Sequence, residues 1–424
     1  MQIPGYYEFC NNVRIVSGHK ALEKIPEMLV SVGCIRPMII TDKGVMGAGL
    51  VEPVEKALGS KIKAAGIYDD VPPDSDVKTV KDIALKYRSL KCDSIIAVGG
   101  GSVLDTAKGV NILVSENSDN LMDFVGFGAL KRKLKPLIAI PTTSGTGSEM
   151  TLVAVIADHE KDVKMLFPSL FLLPDFAVLD SRMTKTLPDF FTAATGMDAM
   201  THACEAYTCL AKNPLSDTTA LSAIRLVSEN IIQAVKKPGD MKARLALANA
   251  SALAGMSFSN SMVGMVHAIG HSIGAICHVP HGVCMSILLP YGLEYNLHKT
   301  AHLTAELLFP LKGEDVYNST SLRDRPRAAI EAIRELNRDL RKATGGKHAT
   351  CLKEVLNKDG ANMVQIEAFP DIARLALNDG AMAYNPEDLD YNDMIMVLES
   401  AWEGVPFDLK RIKKGKVTSK IKIS

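Results

Sequence analysis

A change of pattern near residue 180 constrains this chain more than any other feature. Between Val13 and Asp180, short β-rich runs alternate with amphipathic stretches. "VRIV", "RPMIITDK", "KIKAAGIYDD", "DSIIAVGGG" and "PLIAIPTT" read as strands. "ALEKIPEMLVSVG", closed by Gly33, "VEPVEKALGS", "SDVKTVKDIALKYRSLK" and a segment from Ser102 read as helices. This alternation predicts a parallel, doubly wound sheet, because parallel neighbours need a crossover helix between them. Such sheets bind ligands at the carboxyl ends of their strands. From Pro188 onward the period is helical almost throughout. "PDFFTAATGMDAMTHACEAYT", "DTTALSAIRLVSENIIQAVKK", "MKARLALANASALAGMSFS" and "RAAIEAIRELNRDLRKAT" predict an all-α half. The boundary is expected between Ser181 and Leu187, giving domains 1–184 and 185–424.

A length of 424 residues fits two cores better than one. The 48 basic and 48 acidic residues cancel, so no nucleic-acid or acidic membrane partner is expected. No apolar run reaches the ~18 residues of a membrane span. "MQIPGYYEFCNN" lacks the basic start and apolar run of a secretory signal. Eight scattered cysteines form no C-x-x-C pair, which suggests a reduced, cytoplasmic protein. The tail "KRIKKGKVTSKIKIS" carries seven basic residues and no acid, and reads as a solvated tail or edge strand, with an anion or partner contact as the alternative.

Two loops look built for a nucleotide. "IIAVGGGSVLDTAKG" sets Gly99, Gly100 and Gly101, followed by Ser102, between a strand and a helix. Glycine admits a pyrophosphate close to the backbone, and a helix start offers free N–H groups. The G-x-G-x-x-G spacing is not met, so a bare turn is the alternative. "IPTTSGTGSE" follows another buried strand and gathers hydroxyls at Thr142, Thr143, Ser144, Thr146 and Ser148. An ordinary Ser/Thr-rich turn is its alternative reading. Asp42 ends the strand "PMIITD", where a carboxylate can accept from ribose hydroxyls and repel a 2′-phosphate.

The remaining chemistry sits in the helical half. Asp198 and His202 in "GMDAMTHACEAY" are four residues apart and share one helix face. His267 and His281 in "MVHAIGHSIGAICHVPHG" lie fourteen residues apart. One carboxylate and three imidazoles can complete a shell for a divalent metal, Fe2+ or Zn2+. His271 follows His267 by four residues, so a continuing helix points it into the same cavity, where it could relay a proton. His278 and His298 read as ordinary structural histidines. Cys277 and Cys284 are expected to line the pocket and make it sensitive to oxidation.

"GGGSVLDTAKG", "PTTSGTGSE", "TAATGMDAMTHACEAY", "HAIGHSIGAICHVPHG" and "LALNDGAMAYNP" together resemble the iron-dependent (group III) alcohol dehydrogenase family. The resemblance spans roughly residues 10 to 404. It implies a Rossmann-like N-terminal domain and an α-helical C-terminal domain, the architecture shared with dehydroquinate synthase. It also implies NAD or NADP and one divalent metal, Fe2+ ahead of Zn2+, bound between the domains. The family pattern puts the metal on Asp198, His202, His267 and His281, and the pyrophosphate on Gly99 to Ser102. Further cofactor contacts fall on Thr142, Thr143, Thr146, Thr151 and Lys164. Asp42 occupies the place of an acid found in members that favour NAD. Asp74, in "VPPDSD", stands where members often carry Asn, and a second acid there would disfavour NADP further.

Val153, Phe258 and Ala381 match substrate neighbours. A narrow apolar pocket without arginine implies short primary alcohols or diols and their aldehydes, interconverted by hydride transfer. Homodimers or larger homo-oligomers are expected by the same resemblance. Three alternatives remain at this stage. A lyase similar to dehydroquinate synthase would use NAD transiently. A metal-dependent hydrolase would bind no nucleotide. A non-catalytic assembly protein would leave the histidine set unexplained.

Overall fold

The structure is a computed structural model that describes residues 4–60, 62–159 and 163–407. The basic tail from Lys410 lies outside the described residues.

Six strands form one parallel sheet: β1 (Arg14–Gly18), β2 (Pro37–Ile40), β3 (Gly66–Tyr68), β4 (Ser94–Gly99), β5 (Leu137–Pro141) and β8 (Phe176–Asp180). Their order is β1-β8-β5-β4-β2-β3, and every pairing is parallel. β2, β4, β5 and β8 are buried along their whole length, as their unbroken Ile, Val, Leu and Ala runs require of strands covered on both faces. The covering helices are α1 (Ile25–Ser31), α2 (Lys43–Gly47), α3 (Val51–Leu58), α4 (Val77–Ser89) and α5 (Gly101–Glu116). The chain leaves β2 for the edge at β3 and then returns to β4 on the other side. The strand order therefore reverses between β2 and β4, and the crevice at their carboxyl ends is the expected ligand position.

The strand pattern missed one element. β6 (Val153–Asp158) and β7 (Val163–Pro168) pair antiparallel outside the main sheet. β7 exposes Val163, Lys164 and Leu166, so it lacks the continuous buried run of a central strand. "KIKAAGIYDD" is also mostly loop, with only Gly66–Tyr68 extended.

After a 3-10 turn at Ser181–Thr184, the chain is helical. The helices are α6 (Asp189–Thr208), α7 (Pro214–Lys236), α8 (Met241–Phe258), α9 (Met265–Cys277), α10 (His281–Tyr295), α11 (Leu297–Lys312), α12 (Glu314–Ser319), α13 (Arg325–Ala343), α14 (Phe369–Leu377) and α15 (Tyr391–Glu403). α6 is buried on nearly all sides from Thr192 to Thr208, which makes it the central helix of this half. Ala193, Met197, Met200 and Cys204 pack toward α7 and α8 in one apolar cluster with Ala223, Val227 and Leu247. A second cluster joins α9, α10, α14 and α15 through Ile269, Ile273, Leu288, Ile372 and Val397.

The two halves meet along α8. Met150, Ala177 and Leu179 pack on Ala248 and Ala252. Gly147, at φ +60°, lies so close to Gly255 that a Cβ on Gly147 would approach the Gly255 Cα to 2.6 Å. A side chain at either position would push the loop after β5 away from the helix.

Candidate metal centre and cofactor cleft

α6 delivers Asp198 and His202 one turn apart, α9 delivers His267 in its first turn, and His281 opens α10. One ligand atom from each of the four lies within 4.8 Å of all the others. Asp198, His202 and His267 are buried, and His281 faces partly outward. His202 Nδ1 stands 3.6 Å and His281 Nε2 3.3 Å from Asp198 Oδ1. Asp198 Oδ1, His202 Nδ1 and His267 Nε2 are all buried without a hydrogen-bond partner. Three orphaned polar atoms in one place would be costly in a core with nothing to bind. Their donor set, one oxygen and three nitrogens, fits a divalent Fe2+ or Zn2+.

The electrostatics suit a cation. Burial pushes the His202 imidazolium down to about 3, and burial with the neighbouring His281 lowers His267 likewise. Both rings are therefore neutral near pH 7, the form in which an imidazole can bind a metal. Burial works to raise the Asp198 carboxyl, but His202 and His281 outweigh it and hold it well below the usual carboxylate range.

Phe258, at the end of α8, stacks on His202 with ring centroids 4.2 Å apart and planes 15° from parallel. His271 stacks on His281 at 5.3 Å and is half exposed. Ala381 is buried in a 3-10 turn (Gly380–Tyr384), and its N–H donates to Asp379 Oδ1 at 2.8 Å. Val153 begins β6 beside Leu152, whose N–H donates to Ser259 Oγ at 3.1 Å. The residue after Phe258 is thus tied to the strand that carries Val153.

The cofactor loops come together at the strand ends. Thr142 N donates to Gly99 O at 3.0 Å, so the loops after β4 and β5 lie side by side. Gly100 caps α5, with Thr143 as its nearest neighbour. Two of the three glycines also answer to packing. A Cβ on Gly99 would meet Val103 at 2.5 Å, and one on Gly101 would meet Thr146 at 2.9 Å. Ser102 donates its hydroxyl to Pro73 O, which leaves its backbone N–H as the group free for an anion at the helix start.

Several expected cofactor residues have structural duties. Asp42 caps α2 by accepting from Val45 N at 2.8 Å. Asp74 pairs with Lys164 at 3.3 Å, so its charge is partly neutralised by another member of the same set. Thr151 is almost fully buried, and its hydroxyl accepts from Lys108 Nζ at 2.9 Å. That hydroxyl therefore has a structural partner besides any cofactor.

The pocket cysteines expected from "ICHVPHGVC" need a correction. Cys284 is fully buried in the apolar cluster of α9 and α10, and burial raises its thiol above the ordinary range. Cys277 packs against the same cluster, and burial raises it too. Both are poor thiolates. His278 ends α9 in the left-handed region at φ 56°, and His298 pairs with Glu387 at 2.5 Å.

Three residues of the site escaped the sequence reading. Glu205 contacts His267 from α6, Asp379 contacts His271 from the turn before Ala381, and Lys108 lies buried behind the cofactor loops. Glu205 follows His202 by three residues, so helical spacing alone could have flagged it. Asp379 and Lys108 are distant in sequence from what they hold and left no such signal.

A dinucleotide crevice and a metal cluster joined through α8 are the parts of a nicotinamide-linked, metal-assisted oxidoreductase. Residues 12–181 match the family described as iron-containing alcohol dehydrogenase, and residues 192–402 match its C-terminal region. The chain belongs to the iron-containing alcohol dehydrogenase family, and is a metal-dependent alcohol dehydrogenase. It is 33% identical over 386 residues to alcohol dehydrogenase 4 of Saccharomyces cerevisiae, covering 91% of this chain and 96% of that one. It is 34% identical over 387 residues to 1,3-propanediol dehydrogenase of Klebsiella pneumoniae, with the same coverage. The crystal structure of a 1,3-propanediol oxidoreductase superposes with a TM-score of 0.87 at 32% identity, covering 94% of this chain and all of that one. Among the described residues, no helix is long and apolar enough to cross a membrane.

Proposed function

We propose that this enzyme interconverts short primary alcohols or diols with their aldehydes, preferring NAD to NADP. The observation that carries the reading is the convergence of the Asp198, His202, His267 and His281 donor atoms within 4.8 Å. These four residues would hold Fe2+ or, second, Zn2+. When bound, the metal supplies Lewis-acid polarisation of the substrate oxygen, and the nicotinamide supplies the hydride acceptor.

The chain's own residues do the positioning. Residues 1–184 hold the dinucleotide and residues 185–424 hold the metal. Gly99 to Ser102 receive the pyrophosphate on backbone N–H groups. Thr142, Thr143, Thr146 and Thr151 give further cofactor contacts, and Thr151 also holds Lys108 in place. Asp42 accepts from the ribose and disfavours a 2′-phosphate, while the Asp74–Lys164 pair borders the same edge. Phe258, Val153 and Ala381 keep the substrate side narrow and apolar and exclude water. His271 carries the alcohol proton toward solvent. A small, weakly polar substrate fits this wall, and the propanediol-acting relative supports a short diol. The enzyme is assigned to the cytoplasm as a homodimer or larger homo-oligomer, on the strength of the family likeness.

The test is a panel of short alcohols, diols and aldehydes with NAD(H) and NADP(H), run on protein of defined metal content. His267→Ala should lose both bound metal and turnover while keeping its circular dichroism. Full metal occupancy with normal turnover in that variant would overturn the ligand assignment. Stripping the wild type with a chelator should abolish turnover, and Fe2+ should restore more of it than Zn2+.

A further inference from the structure

The carboxylate of Glu205 ties together two helices that carry metal ligands. Glu205 lies three residues after His202 and seven after Asp198, so all three stand on one stripe of α6. It is 5% exposed. Its Oε1 accepts from Val266 N at 2.8 Å, and its Oε2 accepts from His267 N at 3.3 Å. The same Oε2 lies 2.5 Å from His267 Nδ1.

These backbone N–H groups belong to the first turn of α9, where no intrahelical acceptor exists. The N-cap of α9 is Gly264, which has no side chain to cap with. A Cβ there would stand 2.8 Å from Asn385 Oδ1 and 3.2 Å from Glu205 Oε1. The helix is therefore capped from outside, by Glu205 and by Asn385, whose Oδ1 accepts from Met265 N at 3.1 Å.

The contact with the ring has a further consequence. Oε2 already acts as an acceptor toward the His267 backbone N–H, and the same oxygen faces Nδ1, which places the proton of the neutral His267 ring on Nδ1. Its lone pair is then on Nε2, the buried, partnerless atom that belongs to the metal cluster. The backbone bonds stop the carboxylate from rotating away, so the tautomer and the ring direction are set together.

We propose that Glu205 is a positioning residue that fixes the tautomer and aim of His267 and thereby sets the metal affinity of the site. This rests on the assignment of His267 as a ligand. Partners of this kind beyond the ligands are worth about 10- to 100-fold in metal affinity. A plain structural role, capping α9, would be shared with Asn385, and that residue supplies the control.

The experiment measures the dissociation constant for Zn2+ by chelator competition in the full-length wild type, Glu205→Ala, Glu205→Gln and Asn385→Ala. Cobalt substitution adds the visible spectrum as a second readout of ligand geometry. Glu205→Ala should weaken Zn2+ by roughly 10- to 100-fold and alter the cobalt spectrum, with NAD affinity unchanged. Glu205→Gln keeps one acceptor oxygen and nearly the same shape. It should fold if the alanine variant does not, and should weaken Zn2+ by a smaller factor. Asn385→Ala should lower the melting temperature of the metal-free protein yet leave Zn2+ affinity within about 2-fold and the cobalt spectrum intact. Wild-type affinity in both Glu205 variants would overturn the proposal, as would an equal loss in Asn385→Ala. A wild type that binds no Zn2+ or Co2+ would instead remove the ligand assignment on which the proposal stands.

Discussion

His271 Nδ1 lies 2.9 Å from Asp379 Oδ2, joining α9 to the turn that carries Ala381. The carboxylate holds the ring against His281 and turns the other nitrogen, Nε2, away from itself. The shared helix face of His267 and His271 and the half-exposed position of His271 motivate a role in passing the proton outward. His271→Ala should keep stoichiometric metal and NAD affinity while lowering kcat by about 100-fold or more. Asp379→Asn should give a smaller loss in the same direction. Added imidazole should restore part of the rate in His271→Ala. Loss of metal from that variant would make His271 a ligand, and an unchanged kcat would reduce it to a wall of the pocket.

The cap made by Asp42 separates two effects that a single substitution would confuse. Asp42→Gly and Asp42→Ala both remove a carboxylate from the end of β2, so both should raise the use of NADP relative to NAD. Only Ala should also cost about 1 kcal/mol of stability, since Gly replaces a cap at a few tenths. The ratio of kcat/KM for the two cofactors, with urea midpoints alongside, checks both statements. A wild type that already favours NADP would refute the reading of Asp42.

Lys108 is fully buried and spans from α5 to the loop after β5. Its Nζ donates to Ser148 Oγ at 3.1 Å, Thr151 O at 3.0 Å, Thr151 Oγ1 at 2.9 Å and Val153 O at 2.8 Å. Burial pushes its ammonium down to about 8, against the pull of Asp105 and Glu149. Lys108→Met keeps the volume but leaves those acids without a cation, at a cost of about 3–5 kcal/mol. The same variant should bind NAD more weakly, because the loop after β5 loses its tie to α5, the helix that opens at the Gly99–Gly101 turn. Fluorescence titration with NADH and denaturant unfolding would measure the two losses. Unchanged NADH binding in a destabilised variant would confine Lys108 to the core.

Glu149 gives a pH dependence with a definite sign. Burial raises its carboxyl from 4.5 to about 7, and its Oε1 has no partner. Below pH 4.5 both folded and unfolded chains hold the proton, and the group takes nothing from stability. Between 4.5 and about 7 the unfolded chain releases the proton while the folded one keeps it, so stability falls as pH rises. Above that window the loss is constant. Glu149→Gln should flatten the slope relative to wild type, by at most about 1.4 kcal/mol per pH unit. Parallel urea midpoints from pH 4.5 to 8 would show it, and identical slopes in the two proteins would contradict it.

The alternation of strand and helix up to Asp180, and the helical period after Pro188, were legible because burial on two faces and burial on one stripe leave different spacings in a sequence. The loops after β4 and β5 were legible for a local reason too, since glycines and hydroxyls mark the ends of buried strands. So was the Asp198–His202 pair, because four residues make one helical turn.

The β6–β7 hairpin was not legible. Exposed Val155, Val163 and Leu166 break the buried pattern that identifies the main strands. Thr151 also holds Lys108, a residue 43 positions away, and no local pattern announced that bond. Cys284 lies three residues after His281, yet the helix turns it into the core.

What only the tertiary structure decided is which distant groups meet. Glu205 reaches His267 across 62 positions and Asp379 reaches His271 across 108. Local spacing reports which side of its own helix a residue occupies. The packing of α6 against α8 and α10, of α10 against α9, and of the Asp379 turn against α9 determines what that side faces. That information is spread over apolar contacts whose side chains take no part in the chemistry.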